Sequence, residues 1–346
     1  MIALSQLTEA GGCGCKISPK ILSEIISTTK IGGNGTDLLT GNYNYDDAAV
    51  LKLSKTKSLV FTDDFITPIV DDPFEYGKIA AANALSDIYA MGGIPKLALS
   101  VLGWPIENVS AKHAKRVLEG AKSVCDMAGV SLAGGHTIKN PQPIFGLSVI
   151  GFANTRNLKL NSGAKANDLI YLTKPLGTGI YSTAAKLNKI TAKDRAEMMS
   201  VVTALNSIGT AIGRLSYVNS MTDVTGFGLI GSLTEICNAS NLNAELSFTN
   251  IKLLKNVGHY FEQGIITSGG KRNWESYESY VEHSDLFNRA ILTDPQTNGG
   301  LLVMINDKYR LSFEGFLKRN GLEGFSKPVG VMRSKLKNSK KIISIQ

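Results

Sequence analysis

The chain has 346 residues, 43% apolar and 19% charged, with a net charge of +8; this is the balance of a globular protein long enough for two domains. No apolar run approaches the roughly 20 residues of a membrane span, and MIALSQLTEAGG lacks the basic-then-apolar order of a secretory signal. The four cysteines, Cys13, Cys15, Cys125 and Cys237, are too few and scattered for a disulfide framework, so a reduced, cytoplasmic protein with no membrane partner is expected.

The positive surplus gathers between Ser326 and Gln346, where Lys327, Arg333, Lys335, Lys337, Lys340 and Lys341 meet no acid. No basic stripe studded with aromatics occurs elsewhere. Nucleic acid is therefore not the expected partner, and an anionic small substrate accounts for the charge more simply.

Taken in chain order, GGCGCKISPK (11–20) reads as a glycine-rich loop entering the helix SPKILSEIISTT, with Ser18 as N-cap and Pro19 at its first position. DDAAVLKL (46–53) and SLVFTDDF (58–65) read as two strands joined by a short turn. The alanine-rich helix PFEYGKIAAANALSDIYAMGG follows and is ended by glycines. Strand KLALSVLGW, amphipathic helix SAKHAKRVLEGAKSVCDMAGV and strand PIFGLSVIGFAN complete a first mixed unit. The polar stretch NTRNLKLNSGAKAND (154–168) marks a junction near residue 157. A second unit then opens with strand DLIYLTK, continues through helices from about 179 to 214 and MTDVTGFGLIGSLTEICNAS, and after an irregular region reaches TDPQTNGGLLVMIN. The fold class is α/β (α+β in its mixed sheets), divided into an N-terminal segment 1–45, a domain 46–156 and a domain 157–346.

The chemistry is carried by carboxylates, glycine loops and the cysteine pair. Asp46 and Asp47 open a strand and Asp63 and Asp64 close one, positions equally suited to solvated charge. Asp87 differs, because it lies inside an apolar helix with Asn83 on the same face, and a buried carboxylate needs a partner. Asp223 opens the glycine-rich turn in MTDVTGFG. Carboxylates from separate segments, with no histidine or cysteine cluster beside them, suit a hard cation such as Mg²⁺ next to substrate phosphates. AGGHT (133–137), TKPLGTG (173–179) and PQTNGG (295–300) can offer backbone N–H groups to phosphate, or can be plain turns. A Walker A pattern and the protein-kinase motifs are absent. Gly226, Gly228 and Gly231 spell GxGxxG with Glu245 downstream, but the preceding RLSYVNSMTD is too polar for the first strand of a dinucleotide fold.

Cys125 and Cys237 sit at helical spacing among apolar residues and read as core. Cys13 and Cys15 have no such pattern. Lys16 and the helix start beyond it favour a thiolate, and no second cluster completes a zinc site, so a nucleophilic or chalcogen-handling thiol is the expectation.

The strings GCGCKISPK, DDAAV, DDFITPIVDDPFEYGKIAAANALSDIYAMGG, LGWP, AGGHTI, PIFGLSVIGF, TKPLGTG, MTDVTGFGL and DPQTNGGLL, in that order over about residues 11 to 302, closely resemble the selenophosphate synthetase (selenide, water dikinase) family. That family belongs to the aminoimidazole-ribonucleotide-synthetase-like superfamily, whose other members lack the GCGCK loop. The resemblance implies synthesis of selenophosphate, the selenium donor for selenocysteine and selenouridine, from selenide, ATP and water, with AMP and orthophosphate released. It implies Cys13 and Lys16 as catalytic residues, Cys13 guiding or carrying selenium. It implies Asp47, Asp87 and Asp223 as magnesium ligands. It implies ATP contacts from Lys16, Asn44, Tyr45, Asp46, Asp64, Asp87, Gly135, His136 and Thr137. It further implies a homodimer built on the N-terminal sheet, a mobile cysteine loop, a selenium-delivery protein as a candidate partner and a monovalent cation such as K⁺ as a candidate cofactor. Asn298 stands where many members carry serine, a small polar exchange.

Overall fold

The computed structural model describes residues 3–27, 37–40, 44–282, 284–336 and 339–346. The end of the expected first helix (Thr28 and Thr29) and Lys337 of the basic tail lie outside the described residues.

Helix α1 (Pro19–Ser27) follows the cysteine loop and starts on its proline, as the missing N–H of that residue allows. Strands β1 (Leu38–Thr40), β2 (Ala49–Lys52) and β3 (Lys57–Ile66) then form an antiparallel run. Helix α2 (Pro73–Ala90) is capped by the Asp72 side chain, which accepts from the Glu75 N–H. Strand β4 (Ile94–Trp104), helix α3 (Ala111–Ala128) and strands β5 (Ser131–Lys139) and β6 (Ile144–Asn154) complete a six-stranded sheet of order β1-β2-β3-β6-β4-β5. Among the described strands of this sheet the only parallel neighbours are β4 and β5, which helix α3 connects.

Alternation decides which side of this sheet is covered. In β3, Ser58, Val60, Thr62, Asp64 and Ile66 point inward and are buried beneath α2. The opposite face holds Leu51, Phe61, Phe65, Leu97, Leu99 and Ile138, each between 38% and 56% exposed. No helix among the described residues covers it.

The second sheet contains β7 (Leu169–Leu172), β8 (Val218–Asp223), β9 (Leu242–Leu246), β10 (Leu301–Ile305), β11 (Gly330–Ser334) and β12 (Ile343–Ile345), in the order β12-β9-β11-β7-β10-β8. Helices α4 (Thr178–Lys186), α5 (Ala192–Val202), α6 (Ile208–Gly213), α7 (Gly228–Ser240), α8 (Val257–Glu262), α9 (Ser268–Tyr277), α10 (Leu286–Leu292) and α11 (Arg310–Arg319) surround it. Here both faces are covered, and all five residues of β10 are buried. Leu301, Val303 and Ile305 pack with Ile212 and Phe313, while Leu302 and Met304 join the main core. The stretch after residue 250, expected to be irregular, is three short helices.

Two local expectations change. The AGGHT segment is not a loop but part of β5, an exposed edge strand in which His136 pairs with Val101. The polar RLSYVNSMTD nevertheless supplies the buried strand β8, because β10 and the surrounding helices enclose it. The basic tail is tied to the fold: Arg333 pairs with Glu245, Lys335 donates to Asn241 Oδ1, and Lys341 donates to the Glu278 and Val281 carbonyls.

Candidate active site

Three elements bring three carboxylates to one point. Asp47 precedes β2, Asp87 lies on the buried helix α2, and Asp223 ends β8. One oxygen from each falls within 4.8 Å of the others. Each carboxylate is held by one hydroxyl: Thr222 donates to Asp47 at 2.7 Å, Thr62 to Asp87 at 2.6 Å, and Ser86 to Asp223. One buried oxygen, Asp47 Oδ2, has no hydrogen-bond partner among the described residues.

Such a group of like charges is costly unless a cation joins it. Burial, then repulsion from Asp223, raises Asp47 and Asp87 well above the ordinary carboxylate range. Asp223 is pushed up to about 6, chiefly by burial, with the Ser86 hydrogen bond and Lys16 opposing. Oxygen-only donors, an orphaned buried oxygen and strong mutual repulsion fit a hard divalent ion such as Mg²⁺.

The cluster opens into a cavity of about 580 Å³ also lined by Cys15, Lys16, Tyr45, Asp46, Asp64 and Glu235. Lys16 makes no salt bridge among the described residues. Its ammonium is nevertheless stabilised by surrounding carboxylates, Asp64 foremost, which raise its pKa against the opposing effect of burial. Lys16 keeps surface open to water, so screening softens this attraction. Asp46 is already engaged, accepting from the Asn161 N–H at 2.7 Å and from Thr40. The Asn44 and Tyr45 carbonyls accept from the Asn161 side chain at 3.1 and 2.8 Å, and Tyr45 adopts a left-handed φ of 54°. Asp64 accepts from Asn83 Nδ2 at 2.7 Å. Gly135, His136 and Thr137 on β5 do not line this cavity.

The cysteine loop is seated against both halves of the molecule. The Cys13 N–H donates to Thr297 Oγ1 at 3.2 Å, and its thiol reaches Asn83 Oδ1 at 3.3 Å. Arg272 donates to the Gly14 carbonyl at 2.9 Å. Glycines make the fit possible. A Cβ on Gly12, whose φ is +59°, would meet Thr297 Oγ1 at 2.2 Å, and one on Gly226 would meet Lys16 Cδ at 2.7 Å. The first glycine of GxGxxG therefore makes room for the cysteine loop. Cys15 is exposed to the cavity, whereas Cys13 is fully buried. In this seated position the surroundings of Cys13 run against the expected thiolate. Burial, with the Asp64 charge adding, pushes the thiol well up, and Lys16 opposes it without prevailing. Cys125 and Cys237 are core residues, each 1% exposed.

Of the two readings open for TKPLGTG, the hydrogen bonds support the plain turn. Gln296 Oε1 accepts from the Gly177 and Thr178 N–H groups, and Asp294 Oδ2 accepts from those of Gly179 and Ile180. The start of α4 is thus satisfied from within the chain by residues of DPQTNGG.

Sequence reading missed the three hydroxyls that hold the carboxylates, the Thr297 and Arg272 contacts to the loop, and Glu235. Strand alternation placed Thr62 beside Asp64, and Thr222 adjoins Asp223, but no local pattern marks a hydroxyl as a partner of a distant acid. Glu235 did carry a signal, a lone acid in the apolar helix GLIGSLTEIC. Burial raises it to about 8, with Asp223 and Asp46 adding and Lys16 opposing.

Two mixed-sheet units meeting at a carboxylate cluster define the class. The chain matches the models of the AIR synthase related protein N-terminal domain over residues 45–153 and C-terminal domain over 165–335. Solved structures of this architecture include the thiamine-monophosphate kinase of Stenotrophomonas maltophilia, with TM-score 0.64, 16% identity and 96% of each chain covered. The hydrogenase maturation protein HypE in complex with ATP gives TM-score 0.61 and 17% identity, covering 87% of this chain and 82% of that one. Sequence relatives are more specific. A Sulfurovum protein named selenide, water dikinase is 46% identical over 326 residues, 94% of this chain and 92% of its own length. One of the same name from Shewanella baltica is 47% identical over 305 residues, 88% and 87% of the two chains. The chain belongs to the selenide, water dikinase family.

Proposed function

We propose that this protein is a Mg²⁺-dependent selenophosphate synthetase, converting ATP, selenide and water to selenophosphate, AMP and orthophosphate. The observation that carries the reading is the seating of the Cys13–Lys16 loop against the Asp47–Asp87–Asp223 cluster, in a chain 46% identical to a named selenide, water dikinase.

In this reading Asp47, Asp87 and Asp223 hold the magnesium ion, which neutralises triphosphate oxygens when bound. Lys16 offers its ammonium to the charge that develops on the transferring γ-phosphoryl. Asn44, Tyr45, Asp46, Asp64 and Asp87 contribute to the nucleotide site. Hydroselenide is already an anionic, soft nucleophile and needs no base to attack the γ-phosphorus. Cys13 guides it. Because its sulfur is buried, selenide reaches it only after the loop lifts. The remaining diphosphate is hydrolysed, so AMP rather than ADP leaves.

The division of labour places two metal ligands, most of the nucleotide contacts and dimerisation in residues 46–156, the remaining nucleotide contacts and the cysteine loop in 1–45, and the third ligand, Asp223, with the rest of the enclosure in 157–346. The bare apolar face of the first sheet supports a homodimer built on that sheet, since contiguous apolar area of this kind marks an interface. Gly135, His136 and Thr137 on edge strand β5 then serve a nucleotide from outside the cavity of their own chain. A selenium-delivery protein, a monovalent cation such as K⁺ and a cytoplasmic location complete the reading. Among the described residues no helix is long and apolar enough to cross a membrane.

An anaerobic ³¹P NMR time course with ATP, Mg²⁺ and selenide tests it, with a control lacking selenide. A selenophosphate resonance growing in step with AMP and orthophosphate is expected. ATP left untouched, or converted only to ADP, would overturn the reading.

A further inference from the structure

Glu235 lies on α7, one turn beyond Ser232, whose hydroxyl donates to the Asp223 carbonyl at 3.0 Å. That turn directs Glu235 into the same cavity as the three-aspartate cluster. The charges around it come from separate elements: Lys16 of the cysteine loop, Asp46 and Asp47 before β2, and Asp223 at the end of β8. Tyr277 of α9 also faces it.

The other carboxylates lining this cavity already have work. Asp47, Asp87 and Asp223 each accept a hydroxyl hydrogen bond and together form the cation site. Asp46 accepts from Asn161 and Thr40, and Asp64 accepts from Asn83. Asp63 points to the outer sheet face and accepts from Ser148 at 2.9 Å. Glu235 alone among them accepts no hydrogen bond and makes no salt bridge among the described residues.

The proposed reaction has one step that needs such a group. Selenide attacks as an anion, but the water that splits the remaining diphosphate must give up a proton as it attacks. We propose that Glu235 is the general base for this second step, taking the proton from the water that cleaves ADP to AMP and orthophosphate. The water oxygen bonds to the β-phosphorus, and the bond from that phosphorus to the oxygen bridging the α- and β-phosphates breaks. AMP leaves with the bridging oxygen, and the proton passes from water to the Glu235 carboxylate and then to solvent. No electrons are exchanged and no co-reactant beyond water is consumed.

The inference rests on the selenophosphate reading, and the two fail differently. The experiment is an anaerobic ³¹P NMR time course on the full chain, wild type, Glu235→Gln and Glu235→Asp, with ATP, Mg²⁺ and selenide. Wild-type protein that makes no selenophosphate removes the parent reading, whatever the variants do. With that control positive, Glu235→Gln is expected to form selenophosphate and ADP while AMP formation falls by about 10² to 10⁴-fold, the usual range for a lost general base. Glu235→Asp, which keeps the carboxylate on a shorter arm, should recover part of the AMP. ADP supplied directly to Glu235→Gln should persist. Equal yields of selenophosphate and AMP at the wild-type rate would overturn the assignment. So would a parallel loss of both products relieved by more Mg²⁺, since that would make Glu235 part of the metal site. A Glu235→Gln chain that melts early leaves the test to Glu235→Asp, for which an unchanged product ratio together with unslowed AMP formation counts against the proposal.

Discussion

The buried acids of this molecule are satisfied to very different degrees, as Asp294 and the Asp47–Asp87–Asp223 cluster show. Asp294 is fully buried, yet it accepts from the Gly179 and Ile180 N–H groups, from Gln296 and from Thr267. Its pKa rises to about 7 from burial, against four opposing hydrogen bonds. Asp47, Asp87 and Asp223 are held by single hydroxyls and face one another. Asp294 fastens the start of α4. The triad is left short of positive charge. Burial alone therefore does not mark a functional acid; the balance between acceptors and the donors supplied by the fold does.

The sharpest way to break this contrast is to substitute one member of each group. Asp87→Asn should lower turnover by about 10³-fold or more, because several kcal/mol of charge stabilisation go with the metal, at about 1.4 kcal/mol per decade. Denaturant melts of the metal-free variant should show no loss of stability, since one of three repelling charges has gone. A destabilised metal-free Asp87→Asn would contradict the account. Asp294→Ala should do the reverse. Leaving its buried donors unpaired should destabilise the fold by about 3–5 kcal/mol, read from the denaturation midpoint. Mg²⁺ affinity of the folded protein, read by isothermal titration, should stay unchanged.

Acidity offers a third test. Asp223 has its pKa raised from 3.8 to about 6, so the metal-free folded state holds a proton that the unfolded chain releases. The Asp223 contribution to metal-free stability is therefore full below about pH 4 and is lost as pH rises through 4 to 6, by up to about 3 kcal/mol at 1.4 kcal/mol per unit, and Asp47 and Asp87, raised well above the ordinary carboxylate range, carry the loss on to higher pH. Added Mg²⁺ should raise the melting temperature more at pH 7.5 than at pH 5, where protons compete. An equal shift at both pH values would detach the triad from metal binding. The smallest effect expected is that of Thr222→Val, which removes the single donor to Asp47. Mg²⁺ affinity should weaken by about tenfold, with little change in stability.

Much of this was legible in the residues. Asp87 drew notice because a charge interrupts an apolar helix, and the same reasoning applied to GLIGSLTEIC would have found Glu235. The helices and central strands followed from periodicity, capping and glycine stops. β5 was misread because AGGHT has the composition of a loop, and its pairing with β4 is a long-range property. The glycines of TKPLGTG stayed open between phosphate donors and a plain turn because a sequence does not say which side chains from residue 294 onward will occupy those N–H groups.

By itself the sequence determined which residues carry charge, thiol or hydroxyl, where helices start and stop, and through its motif order the family to which the chain belongs. Those features depend on neighbours within a few positions or on long exact strings. Only the tertiary structure decided that Asp47, Asp87 and Asp223 share one point while Asp294 is fully satisfied, that Cys13 is buried, and that Glu235 enters the cavity without a hydrogen-bond partner among the described residues. Such outcomes depend on Coulomb and hydrogen-bond interactions between residues up to 284 positions apart, as for Cys13 and Thr297. Those energies exist only once packing has excluded water and fixed the distances.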